Sequence, residues 1–349
     1  MAVAAPAPAR PAGASRRRRS RLGDRLFRGT SLAIGVGLVG LLVLLLVVLG
    51  SGGERAFARF GINFLIGRNW NPVAGREQFG ALPFVFGTLV TSAIAIVLAV
   101  PVAVALALLL SEIRLGWLAN PLAVFVDLLA AIPSVVYGLW GLFVMKPVFD
   151  HRVEPFLSKT IGKVPVIGVL FHGNPAGGDL FTAGVILAIM ILPIVTAVSR
   201  EVVATVPKEL REGALALGAT RWETVKMAVL PYSRSGIVGA SMLGLGRALG
   251  ETIAVSLLVG NGLGIGASLF RPGYTIPAVI ASEFREATSV GVHRSALLAL
   301  AVVLVGIAFA LAAVSRLLVR RTQKLLGTEA PPPDAPAIAF MGGEGGVVA

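Results

Sequence analysis

The chain has no cysteine. Disulfides and thiolate metal sites are therefore excluded, and the redox compartment leaves no trace in the sequence. Charge is scarce as well: Asp, Glu, Lys and Arg make up 14% of 349 residues, against about 25% in soluble domains. Only three histidines occur, His151, His172 and His293, and they are too scattered for a metal site. No G-x-x-x-x-G-K-[ST] loop is present, because Gly162-Lys163 is followed by Val164. The chain thus lacks the phosphate cradle of an ATP-hydrolysing protein. What it has instead is 56% hydrophobic residues and a mean hydropathy of +0.85. These figures describe an all-α polytopic membrane protein, not a soluble enzyme.

Six apolar stretches lie near 31–50, 83–110, 121–145, 180–199, 234–259 and 295–315, each about the ~20 residues that cross a hydrocarbon core. About six transmembrane helices are expected. Pro101, Ile132-Pro133-Ser134 and Pro193 interrupt three of them. A proline in a membrane helix frees a carbonyl that a neighbour or water must satisfy. That suits a water-filled path and ordinary packing distortion equally. With both termini cytoplasmic, 18 of the 31 Lys and Arg fall inside and 11 outside, as the positive-inside rule requires. The formal charge of +13 comes largely from juxtamembrane arginines such as Arg16 to Arg19, which set topology and meet anionic lipid rather than nucleic acid. The first stretch is long, rich in Leu and Val, and has no A-x-A site before Ser51, so it is an uncleaved span rather than an export signal. Residues 1–28, rich in Ala, Pro and Arg, and 328–349, rich in Pro and Gly, are expected to be disordered around one membrane domain, 29–327. The segment 146–178 carries Pro155, Pro165, Pro175 and several glycines and is expected to fold loosely.

The polar hinge 205–231 contains EGALALGATRWETVKMAVLP, from Glu212 to Pro231. Pro207 suits the first turn of a helix, where its missing N–H costs nothing. Glu209 and Glu212 lie toward the positive end of that helix. Gly218 tolerates the left-handed conformation of a helix end. Thr220 and Glu223 then form a T-x-x-E capping box that opens a second helix, expected to end before Pro231. Two short helices joined at Gly218 make a rigid knob at the bilayer surface, shaped to fit a socket on another protein.

In the fifth stretch, Gly244-Leu245-Gly246-Arg247-Ala248-Leu249-Gly250-Glu251 sets an Arg and a Glu four residues apart. In a continuous helix they share one face, with three glycines that admit a neighbouring helix. Each charge costs about 2.5–3.5 kcal/mol at mid-membrane on insertion scales. Two arrangements offset that cost: a mutual ion pair that fixes the helix, or a polar path in which Arg247 attracts an anion and Glu251 adjusts its affinity. Arg before Glu is the weaker order for an ion pair at this spacing, which favours the path. Asp127, near the cytoplasmic end of the third stretch, is expected to snorkel or to pair with an Arg.

The hinge matches the ABC importer permease signature E-A-A, three residues, G, nine residues, I-x-L-P at Glu212, Ala214, Gly218, Leu230 and Pro231. Gly213 and Ala228 replace an Ala and the Ile of that pattern. Trp70 to Ser92, Ala130 to Val144 and Leu230 to Val255 further resemble the PstC-type permeases of phosphate-specific ABC importers. The resemblance implies a type I importer permease fold in the cell membrane, without catalytic residues, metal or cofactor of its own. It implies a second, PstA-like permease, two copies of an ATPase that uses the ATP, and an extracytoplasmic phosphate-binding protein. It makes Glu212, Ala214, Gly218, Leu230 and Pro231 the ATPase-coupling segment, and Arg247 and Glu251 the intramembrane pair of the substrate path. A permease for sulfate or molybdate is the alternative. An ion-gradient transporter is a further one, but it predicts inverted repeats, and none is visible.

Overall fold

The computed structural model describes residues 21–112, 116–173, 178–287 and 291–325. The chain divides into two compact units between Ser51 and Gly52. In the first, the described residues belong to helix α1 (Arg21–Phe60). Its side chains from Leu26 to Leu46 are exposed, apolar all round as a helix in lipid must be. The expected tail 1–28 is corrected in part: residues 21–28 are already helical. Leu22, Leu26 and Phe27 extend the apolar run there, and no proline follows Pro11 to stop it. Residues 1–20 and 326–349 lie outside the described residues, and with them most of the expected first tail and all of the second.

In the second unit the end of α1 packs on the last helix, where the Ala56 N–H donates to Ser295 Oγ at 3.1 Å. A short α2 (Ile62–Ile66) leads to β1 (Trp70–Asn71) and β2 (Gln78–Phe79), an antiparallel pair with Trp70 opposite Phe79. Then come α3 (Leu82–Glu112), α4 (Ala119–Ala131), α5 (Ser134–Trp140), α6 (Lys146–Val148), α7 (Glu154–Thr160) and α8 (Leu180–Ala204). The hinge follows as α9 (Lys208–Ala216) and α10 (Arg221–Thr224), and the chain closes with α11 (Leu230–Leu249), α12 (Ile253–Leu258), α13 (Ile276–Glu283) and α14 (Val292–Leu325). Of the membrane-length helices α8 is the central one: 61% of its most apolar window is buried, against 22% in α3 and 17% in α14. The outer helices leave many apolar side chains exposed, such as Val97 and Val102 on α3 and Phe309 and Leu317 on α14.

Among the described residues four helical stretches are long and apolar enough to cross a membrane: Leu26–Phe60, Leu82–Glu112, Leu180–Ala204 and Val292–Leu317. A fifth crossing exists if α4 and the helical run from Ser134, bent by 93°, count as one. The break falls at the expected place. Ile132 is extended, with φ −67° and ψ 128°, the conformation that the residue before a proline prefers. Pro101 and Pro193 leave α3 and α8 unbroken. The expected count of six is not reached on length and apolarity, and the shortfall is α11. It has 20 residues, but Arg234, Arg247 and four glycines dilute its apolar content.

The segment 146–178 is not loose where it is described. Phe171, Phe181 and Phe270 form an edge-to-face cluster with centroids 5.7–6.2 Å apart, and Phe149 leans on Phe181 at 5.8 Å with its ring tilted by 38°. Glu154 and Asp179 are fully buried on either side of Thr182, whose hydroxyl donates to Glu154 Oε1 at 3.2 Å and whose N–H donates to Asp179 Oδ1 at 2.8 Å. Asp179 is thereby the N-cap of α8, and its burial pushes its carboxyl above the ordinary aspartate range. Pro175 and Gly177 lie outside the described residues.

Candidate functional site

The knob is built by local chemistry. Pro207 sits one position earlier than expected: it is the N-cap of α9, with ψ 141°, and Glu209 occupies the first turn. At the other end Gly218 has φ +88°. The Gly218 N–H donates to Leu215 O at 3.0 Å and the Ala219 N–H to Ala214 O at 3.1 Å. Those two bonds form a Schellman motif, which returns the chain while satisfying the last carbonyls. The capping box of α10 is complete. The Thr220 N–H donates to Glu223 Oε2 at 2.7 Å, and the Glu223 N–H returns to Thr220 Oγ1 at 3.3 Å. These donors, the Thr220 N–H first, hold the Glu223 carboxyl below its usual range.

One expectation about the knob fails. The second helix does not stop before Pro231; α10 continues through a π-helical turn, Val225–Val229, into α11. A proline clashes with the carbonyl four residues back and offers no N–H. The widened turn just upstream is how a helix passes such a residue. Of the signature residues, Glu212, Gly218 and Pro231 are exposed and Ala214 and Leu230 half-buried. Around them the knob shows Leu217, 92% exposed, and Trp222, 59% exposed. Lys226 lies over the Trp222 ring at 5.1 Å. A cavity of 630 Å³ between α9 and the π turn is floored by Ala214, Gly218 and Met227.

Arg211 ties this knob to the membrane helices, and nothing in its local sequence announced it. Its guanidinium grips Glu112, the last residue of α3, through Nε at 3.1 Å and Nη2 at 2.7 Å. The same Nη2 donates to Val203 O at 2.9 Å, and Nη1 donates to Val206 O. Arg211 therefore closes the carbonyl end of α8 and the end of α3 together, the use to which a planar five-donor fork is suited.

The intramembrane pair is rearranged. Helix α11 stops at Leu249, and Glu251 falls in a three-residue break before α12. Glu251 Oε1 accepts the Ala254 N–H at 3.3 Å, so it caps α12 rather than sharing a helix face with Arg247. Capping satisfies a carboxylate better than facing lipid would. Among the described residues no ion pair joins Arg247 to Glu251, which removes the mutual-pair arrangement. Arg247 is exposed and lies within electrostatic reach of the Tyr137 hydroxyl, which donates to Leu129 O at 2.9 Å. The two broken helices meet here. A Cβ at Gly138 of α5 would stand 2.8 Å from Ala254 Cα of α12. Of the three glycines, Gly244 admits α8, where a Cβ would stand 2.6 Å from Val195 Cγ2, while a Cβ at Gly246 would meet nothing within 4 Å. Asp127 pairs with Arg200 at 3.6 Å, as expected. The site is a guanidinium without an ion pair among the described residues, a half-buried carboxylate one turn on, and a knob at the opposite end of the same helix.

The chain is similar to known proteins. Residues 99–324 match the family model of the binding-protein-dependent transport system inner membrane component. The phosphate transport system permease protein PstC of Pasteurella multocida is 43% identical over 304 residues, covering 87% of this chain and 94% of that protein. Its namesake in Xylella fastidiosa is 46% identical over 276 residues, covering 79% of this chain and 84% of its own. A crystal structure of a bacterial alginate ABC transporter, in complex with an alginate pentasaccharide-bound periplasmic protein, shares the fold at 17% identity. Its TM-score is 0.55, with 88% of this chain and 98% of that chain covered. This chain belongs to the family of inner-membrane components of binding-protein-dependent transport systems.

Proposed function

We propose that the chain is the membrane-spanning permease of an ATP-driven importer that carries inorganic phosphate into the cytoplasm. The substrate class comes from relatives named phosphate transport system permeases, 43% and 46% identical to this chain. In this reading both termini are cytoplasmic and α11 completes the six crossings. A second, PstA-like permease closes the path, two ATPase copies receive the knobs, and an extracytoplasmic phosphate-binding protein delivers substrate. The chain holds no catalytic group or cofactor; ATP is spent by the partner.

Glu212, Ala214, Gly218, Leu230 and Pro231 shape the docking knob. Arg247 offers parallel N–H donors to phosphate oxygens. Glu251 accepts the proton that hydrogen phosphate carries and sulfate lacks. Closure of the ATPases moves the knob as a lever and switches access between the two sides. The single observation that carries the coupling is the unbroken helical run from the exposed knob to Arg247.

Uptake of labelled phosphate by the reconstituted complex tests it. Arg247→Gln is expected to abolish uptake while the complex still co-purifies. Normal transport by that variant, or uptake competed equally by sulfate and molybdate, overturns the phosphate path.

A further inference from the structure

The β1–β2 hairpin and the loop after α12 flank an open cleft of 570 Å³, lined by Arg68, Asn69, Trp70, Asn71 and Gln78 on one side and Leu263 and Gly264 on the other. Arg68 is exposed and has no acidic partner among the described residues. The exposed Arg271 lays its guanidinium along the loop, against the Gly264 of the cavity lining: a Cβ on Gly264 would stand 2.8 Å from Nη2, and one on Gly266 would overlap Nη1. Glycine at both positions leaves room for that flat group. Arg271 likewise has no acidic partner among the described residues. The carboxylates of the same region are already committed. Glu77 takes Arg59 at 2.7 Å, and Glu283 takes Trp70 Nε1 and His293 Nε2, both at 2.8 Å. Asn69 Nδ2 donates to Gln78 Oε1 at 3.2 Å, which leaves the Gln78 amide nitrogen as a donor toward the cavity. The cavity lining therefore holds Arg68 and amide donors without a carboxylate, and a second arginine, Arg271, lies against its Gly264.

Its position matters as much as its charge. The Arg271 carbonyl accepts the Leu180 N–H at 3.2 Å, and the Leu269 carbonyl accepts the Phe181 N–H at 3.0 Å. The loop is thus fixed to the first residues of α8, whereas the knob follows its last. The two are separated by 25 residues of helix, about 37 Å. The wall of the cavity is joined to the Glu251 break by α12 alone, six residues long and about 9 Å in rise.

We propose that this cavity is a reception site for a tetrahedral oxyanion, occupied before the ion reaches Arg247. The proposal rests on the phosphate-import reading and adds an entry step to it. Charge-assisted donors of this kind are the strong ones for such an ion, and a site of two arginines without a carboxylate disfavours cations outright. The same donors suit a carboxylate on a docking binding protein, so the source of the oxyanion is what the experiment must separate.

The experiment uses the complete complex in lipid nanodiscs carrying Arg247→Gln, so that the inner position is already disabled, and measures binding of radiolabelled inorganic phosphate without the binding protein. Residual binding is expected, and Arg68→Gln with Arg271→Gln should weaken it at least tenfold. Arg76→Gln removes the same charge from the same hairpin and serves as the control, with binding expected to hold. In the otherwise native complex the double variant should raise the KM for uptake. Unchanged phosphate binding in the double variant overturns the proposal. So does loss of binding-protein affinity with phosphate binding intact, which assigns the cavity to a partner's carboxylate. If another oxyanion rather than phosphate is transported, and it binds here with the same dependence on Arg68 and Arg271, the import reading fails and the reception site stands.

Discussion

Replacing Arg211 should uncouple ATP hydrolysis from transport. Its guanidinium and the Glu112 carboxylate are 21% and 14% exposed, so most of the pair is out of water. Removing one partner of a buried pair costs about 3–5 kcal/mol. Because this pair sits at a helix end with some water access, the low end, about 3 kcal/mol, is the better figure. Arg211→Ala also strips donors from the Val203 and Val206 carbonyls. At about 1.4 kcal/mol per decade, the balance between an anchored and a free knob moves by roughly a hundredfold. Arg211→Lys keeps the charge but loses the fork and should fall between. The assay is phosphate transported per ATP hydrolysed in proteoliposomes containing the whole complex. Arg211→Ala is expected to hydrolyse ATP while that ratio falls at least tenfold. Glu112→Gln should lower it less, and the two changes combined should be far from additive. A normal ratio in Arg211→Ala would refute the idea that this residue transmits force.

Two further outcomes follow from the fold. Gly138→Ala sets a methyl 2.8 Å from the Ala254 Cα, a backbone contact that cannot turn aside. It should cost about 1–3 kcal/mol as an overpacked contact and lower phosphate uptake at unchanged complex yield, read by uptake beside thermal melting. Asp179→Asn keeps an N-capping oxygen and removes the charge. The native carboxyl is raised by burial, so its stabilising share is complete below the ordinary aspartate value and is lost as pH climbs through the raised one. Melting temperatures measured from pH 4 to pH 8 should decline less in the variant; an identical decline would show that Asp179 does not titrate in this range.

Features made by neighbours in sequence were legible from it. Gly218 had to be left-handed because nothing else ends a helix so tightly, and Thr220 with Glu223 is a complete local circuit. Pro133 dictated the bend through its effect on Ile132. The family signature located the knob for the same reason, since its residues lie within twenty positions of one another. What escaped was set at a distance. Arg211 and Glu112 are 99 residues apart, and no pattern near either one joins them. The stop at Gly250 was hidden because glycines in a membrane helix read as packing surfaces, and Gly244 is one. Past Gly250, Glu251 accepts the Ala254 N–H, a contact that is local but that no pattern around Gly250 announces. The passage through Pro231 was misjudged because a proline usually ends a helix, and the π turn that accommodates it carries no composition of its own.

That π turn bears on how motion travels. From Arg221 to Leu249 the backbone is one rod, about 40 Å long, with a single surplus residue wound into its lower third. Were the surplus expelled, everything beyond it would swing by about 100° and advance about 1.5 Å. A modest shove on Trp222 would then arrive at Arg247 as a change of heading, turning the guanidinium from one side of the membrane path toward another without melting any helix.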